Sequence, residues 1–127
     1  MAKNAKNFEE RPWGTFEVLH EFLVNNESGE ETEVVIKKIK VLPQKKLSYQ
    51  SHKLRHENWL IVQGSGAVVL NDEEIPVKKG SKIEVPTGTK HRIMNNHPKH
   101  ELIFVEISTG KFDEFDIERF EDDFGRA

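Results

Sequence analysis

QSHKLRHENWLIVQGSGAVVLNDEE, residues 50–74, sets the pattern of the chain. An apolar run at 59–63 meets Gly64-Ser65-Gly66, a second run covers 67–70, and Asn71-Asp72-Glu73-Glu74 ends it. Runs this short, bounded by Gly and Asn/Asp, read as strands joined by hairpins. The same rhythm extends outward through residues 15–24, 33–42, 46–52, 82–85, 91–94 and 102–107. None keeps a 3.6-residue apolar period long enough for the helix of a βαβ unit. The expected fold is therefore all-β, an antiparallel barrel or two-sheet sandwich.

The chain has 127 residues, read as one domain over 1–127 with a loose arm at 1–10 and an acidic segment at 111–127. Residues 113–123 hold seven acidic side chains, with Phe115, Ile117, Phe120 and Phe124 spaced among and after them. A short helix or an extended tail would each bury those rings, and the sequence leaves both open. Trp59, Leu60, Ile61 and Val62 are expected mainly in the core, with Trp13 sealing one end. A net charge of -3 gives no general attraction for nucleic acid or an anionic membrane, so neither is expected as a partner. No window approaches the roughly 20 apolar residues of a membrane span and the start has no apolar leader, which makes the cytoplasm the expected location. The chain contains no cysteine, so any metal must rest on imidazole, carboxylate or amide donors.

Such donors occur in two segments. Gln50 and His52 are two residues apart, which in a strand directs both to one face. Glu57 follows after four intervening residues. The second segment, GSKIEVPTGTKHRIMN at 80–95, carries a Pro86-Thr87-Gly88 turn just before His91. If the segments are neighbours, Gln50 Oε1, His52, Glu57 and His91 can converge on one divalent ion. His20, His56, His97 and His100 have no comparable support, and the pairs Lys45-Lys46 and Lys78-Lys79 read as solvated turns.

These segments resemble the paired motifs of the cupin superfamily, whose strand histidines, glutamate and later histidine bind a divalent metal inside a double-stranded β-helix, or jelly-roll, barrel. RPWG at 11–14, LSYQSH at 47–52, RHENW at 55–59, VPTGTKHRIMNN at 85–96 and ERFEDDFGR at 118–126 are similar, in that order, to the C-terminal mannose-6-phosphate isomerase domain of type II phosphomannose isomerases, which is expected here as a stand-alone domain. The chain departs from the usual pattern at Gln44, where glycine is common, at Leu54 and Asn58, where histidine is common, and at Ser108, where glutamine is common.

The resemblance implies a metal-dependent aldose-ketose isomerase that interconverts mannose 6-phosphate and fructose 6-phosphate. The alternatives are an isomerase or epimerase of a related sugar phosphate, and a non-catalytic cupin that binds a sugar or nucleotide sugar. It assigns the metal to Gln50, His52, Glu57 and His91, with zinc favoured and manganese, iron, cobalt or nickel compatible. Glu106 is the candidate for proton transfer, with a structural pairing as its competing role, while Lys90 and Arg92 are candidates to polarise the substrate oxygen. Arg11, Arg55 and Arg126 are candidates for phosphate, along with Lys90 and Arg92. A homodimer is expected by the same analogy, and Leu54 is expected to bear on specificity if it faces the pocket.

Overall fold

The computed structural model describes residues 7–113 and 115–121. Its strands are β1 (Phe8–Arg11), β2 (Gly14–Asn25), β3 (Glu31–Val41), β4 (Tyr49–Ser51), β5 (Arg55–Gln63), β6 (Ser65–Leu70), β7 (Glu73–Lys78), β8 (Lys82–Val85), β9 (His91–Met94), β10 (Leu102–Gly110) and β11 (Glu118–Glu121). They form a six-stranded sheet in the order β1-β2-β3-β10-β5-β8 and a five-stranded sheet in the order β11-β4-β9-β6-β7. The core lies between them: Trp59, Ile61, Leu102 and Phe104 of the larger sheet join Val68, Val77 and Ile93 of the smaller. This is the all-β jelly roll expected from the sequence. Among the described residues no helix is long and apolar enough to cross a membrane.

Alternation decides what faces that core. Trp59 and Ile61 are buried, whereas Leu60 and Val62 point to the other side of β5 and are 39% and 37% exposed. The apolar run at 59–62 is thus only half core, correcting the expectation for Leu60 and Val62. Trp13 is buried and belongs to the core cluster.

Three strands lie outside the apolar runs. β1 begins within the segment expected to be a loose arm, and its residues pair with β2 from Phe8 onward. β7 contains Pro76, which is tolerated because β7 is an edge strand paired only with β6. β11 turns the acidic segment into an extended strand beside β4, with Glu118 opposite Ser51 and Arg119 opposite Gln50. The segment does not bury all its rings: Phe115 is 84% exposed, and Phe124 lies outside the described residues.

Two backbone positions explain sequence features. The Gly14 of RPWG has φ 150°, and a Cβ there would collide with the Lys40 carbonyl oxygen across the β2–β3 ladder. That glycine is required by close backbone approach. Gln44 has φ 62°, in the left-handed region where a side chain costs about 1–2 kcal/mol. The preference for glycine at that position therefore has a backbone origin. Gln44→Gly is expected to stabilise the fold by about 0.5–1 kcal/mol, the relief being partly offset by the freer unfolded chain. Urea denaturation midpoints of the two proteins measure the difference.

Candidate metal centre

Register brings the donors together from both sheets. β4 and β9 meet with Gln50 opposite His91, and His52 follows on the same side, just past β4. Glu57 approaches from β5. His52 Nε2 lies 3.6 Å from Glu57 Oε2 and His91 Nε2 lies 4.0 Å from Glu57 Oε1. One donor atom from each of the three residues lies within 4.8 Å of the others, and all three residues are buried.

The surroundings prepare these donors. His52 Nδ1 is 2.7 Å from the Asp116 carbonyl oxygen and His91 Nδ1 is 2.9 Å from that of Thr89. A carbonyl can only accept, so both Nδ1 atoms carry the proton and both Nε2 lone pairs face Glu57. Burial lowers the pKa of both rings. For His52, burial and then the Arg55 guanidinium bring it to about 4. The imidazoles are therefore neutral near pH 7, the form that binds a metal. One Arg55 nitrogen is 3.0 Å from both Nδ1 and Nε2 of His52. An in-plane approach to both would run into Cε1, so the guanidinium sits over the ring face. Trp59 Nε1 donates to Glu57 Oε1 at 3.0 Å, fixing the carboxylate from the core side.

Two inward lone pairs and one carboxylate, with no proton donor shared among them, fit a divalent cation. Gln50 borders this trio. Its Oε1 accepts from Ser48 Oγ at 2.8 Å and its Nε2 lies 3.5 Å from His52 Nε2. Ligation through Oε1 requires the amide to turn over, with the Ser48 hydroxyl then accepting from Nε2.

A cavity of about 220 Å³ opens beside the trio. His52, Glu57, Gln50 and Glu106 line one part, and Trp13, Phe16, Ile39, Leu47 and Ile117 supply apolar wall. Arg11, Lys37, Arg55 and Arg119 bring positive charge to it. Glu106 stands on β10 between Lys37 of β3 and Trp59 of β5. Burial and then the nearby Glu57 charge push its carboxyl up to about 8.

Several expected site residues lie elsewhere. Lys90 Nζ packs over the Phe120 ring, 4.6 Å from its centroid. Arg92 Nε donates to the Leu47 carbonyl at 3.0 Å, and Arg92 Nη1 lies 3.9 Å from Glu121 Oε1. As the next residue along β9, Arg92 projects from the face opposite His91; neither Lys90 nor Arg92 lines the cavity. Arg126 lies outside the described residues. Leu54 is 44% exposed and also absent from the cavity wall, which removes it from the role in pocket shape considered for it. Asn58 is exposed on the outer face of β5. Of the four departures from the usual pattern, Ser108 alone reaches the centre: it is fully buried opposite Glu57, and its Oγ has no hydrogen-bond partner among the described residues.

The sequence reading missed Lys37, Arg119 and Asp116. Lys37 carried a usable signal, since it shares a strand face with Ile39 and Val41. Asp116 carried none, because it acts through its backbone carbonyl and through bonds to the Lys53 and Leu54 amides, 2.8 and 2.9 Å from its two carboxylate oxygens. Asp116→Ala is expected to loosen the loop that orients His52 and weaken metal affinity about 10-fold. Competition with a metal-sensitive chelating dye measures that change.

The family model described as the C-terminal domain of mannose-6-phosphate isomerase matches residues 2–122. This chain belongs to that family. It is 34% identical over 118 residues to the xanthan biosynthesis protein XanB of Xanthomonas campestris pv. campestris (strain B100), covering 92% of this chain and 23% of that protein. The mannose-1-phosphate guanylyltransferase ManC of Salmonella typhimurium is also 34% identical over 118 residues, covering 92% of this chain and 22% of ManC. The chain thus spans less than a quarter of the length of these relatives. Among solved structures, a cupin-2 domain from Rhodospirillum rubrum superposes with a TM-score of 0.63 at 16% identity, covering 89% of this chain and 68% of that one. That likeness establishes the cupin fold; this family member carries a His-Glu-His group able to hold a metal.

Proposed function

We propose that the protein is a metal-dependent isomerase interconverting mannose 6-phosphate and fructose 6-phosphate. The observation that carries this reading is one cavity, lined by His52 and Glu57 of the metal-capable trio, that also holds the buried Glu106 carboxyl and several cations. His52, Glu57 and His91 would hold the ion, with Gln50 as fourth donor after its amide turns. When bound, the ion supplies positive charge to the sugar's carbonyl and hydroxyl oxygens as negative charge develops there. Zinc is the first candidate, ahead of manganese, iron, cobalt and nickel.

Glu106 is the proton carrier in this reading. As a carboxylate it takes the proton from C2 of the aldose, and as the resulting acid it returns that proton to C1, while the O2 hydroxyl gives up its proton and O1 gains one, so that C2 becomes the carbonyl of the ketose. Its place beside Glu57 keeps it near the ion-binding end, and the apolar wall limits water's access to the transferred proton. Arg55 covers His52 and maintains its neutral form. Charged sugar phosphates cross membranes poorly, and the reading accordingly places the work in the cytoplasm.

A coupled assay for fructose 6-phosphate on protein loaded separately with each metal tests the proposal, with elemental analysis of the untreated protein beside it. Turnover of mannose 6-phosphate is expected. Absence of turnover with every metal would overturn the reading. A related sugar phosphate is the second reading, favoured by Ser108, whose short side chain lies opposite Glu57. A substrate panel in the same assay separates the two.

The homodimer belongs to the same proposal. Near the end of the β2–β3 hairpin, Phe22 and Val24 share one face of β2 and are each 42% exposed, an apolar pair suited to a second copy of the chain. Sedimentation velocity is expected to give a dimer, shifted toward monomer by Phe22→Glu. A wild-type monomer would remove this element alone.

A further inference from the structure

Two cations of the cavity share one aromatic ring. The Arg11 guanidinium carbon and Lys37 Nζ lie 5.1 and 5.0 Å from the Phe16 centroid. All three residues line the cavity. Two positive charges held at one ring repel each other, and the ring quadrupole offsets only part of that cost. Arg11 has an exposed carboxylate beside it, Glu9 Oε1 at 3.1 Å, a weak screened pair at the surface. Lys37 is half-buried and forms no ion pair among the described residues.

The position of this pair fits an elongated substrate. β3, β10 and β5 are consecutive in the larger sheet, and Lys37, Glu106 and Trp59 form one rung across them. At about 4.8 Å per strand, Lys37 stands roughly 10 Å of sheet from β5, with Glu106 between. Glu57 is two residues from Trp59 on the same face. Arg55 lies at the other end of the cavity, engaged with the His52 ring and 4.0 Å from Glu57 Oε2. A cation committed there is poorly placed for a group remote from the reacting carbons.

We propose that Lys37 and Arg11, gathered on Phe16, form the phosphate-binding end of the cavity, opposite the His52–Glu57–His91 end. This assignment rests on the sugar-phosphate reading above and gives Arg55 a different part. Lysine meets the phosphate as a point charge and arginine as a planar fork. Remote binding energy from that contact orients the reacting end.

The test is isothermal titration of inorganic phosphate, mannose 6-phosphate and mannose into the metal-loaded protein, with inorganic phosphate repeated after metal removal. Wild type, Lys37→Met, Lys37→Arg and the outward-facing Lys38→Met are compared, with turnover measured on the same metal-loaded samples. Lys37→Met is expected to weaken both phosphorylated ligands about 10- to 100-fold and raise KM similarly. Metal content should be unchanged, Lys37→Arg should recover most of the affinity, and Lys38→Met should match wild type. Lys37-dependent phosphate binding that persists without metal supports the site. Unchanged phosphate affinity in Lys37→Met overturns it, whether or not the protein turns over sugar. Lys37-dependent phosphate binding without turnover of any sugar phosphate would instead overturn the isomerase reading and leave the anion site standing.

Discussion

Glu57→Gln is expected to empty the metal centre while leaving the metal-free fold close to wild type in stability. Glu57 is 2% exposed and supplies the negative charge of the trio, 3.6 Å from His52 and 4.0 Å from His91. Glutamine keeps the shape and an oxygen for the Trp59 Nε1–H, but it removes that charge. Without metal, the Glu57 side chain lies beside a second buried carboxyl, Glu106, and 4.0 Å from the Arg55 guanidinium, so neutralising it relieves one interaction while giving up another. With metal the two proteins differ. Wild type gains about 2.7 kcal/mol when free metal is a hundred times its dissociation constant, and the variant loses most of that gain. Elemental analysis should show metal falling from near stoichiometric to near zero, with turnover reduced at least about 100-fold. Denaturation with and without chelator separates this result from misfolding: stability should converge in chelator and diverge in metal. A variant that retains metal and turnover would remove Glu57 from the centre.

Glu106→Gln is expected to reduce kcat about 10²- to 10⁴-fold, the range for loss of a positioned acid or base, with metal content preserved. It should also change the pH dependence of the metal-free fold. Glu106 has its carboxyl raised from 4.5 to about 8, so between those values the folded chain holds a proton that the unfolded chain has released. That contribution is present in full below pH 4.5 and declines as pH rises toward 8, by at most about 1.4 kcal/mol per pH unit. His52 acts in the opposite sense. Its pKa falls from 6.5 to about 4, so its contribution grows as pH rises between those values, and His91 shifts in the same direction. The effects oppose each other at mildly acid pH. From about 6.5 to 8 the Glu106 contribution stands apart from that of His52. Urea midpoints in chelator should therefore fall across pH 6.5–8 in wild type and stay nearly flat in Glu106→Gln. A variant with unchanged kcat would exclude Glu106 as the proton carrier, and an unchanged slope would exclude it as the titrating group.

The two donor-bearing segments were legible because strand periodicity is local. Gln50 and His52 share a side because they are two residues apart, and Pro86-Thr87-Gly88 marks the turn before His91. Ordered motifs along most of the chain pointed to the family. The unusual residues were harder to interpret. Leu54 looked central by its neighbours in sequence, yet its exposed side chain is absent from the cavity wall. Gln44 looked like a substitution in a motif, and its meaning is a left-handed backbone. Lys90 and Arg92 flanked the right histidine, but Arg92 takes the opposite face of β9 and Lys90 packs beneath Phe120.

By itself the sequence determined the all-β class, the absence of thiolate ligands and the order of candidate donors, since these follow from composition and short-range alternation. Only the tertiary structure decided which cations share the cavity, which ring nitrogens face inward and which departure touches the centre. Those outcomes depend on contacts between distant segments, such as Asp116 with His52, Lys37 with Glu106 and Ser108 with Glu57. Strand pairing and burial set these contacts, and no local pattern in the chain specifies which partners meet.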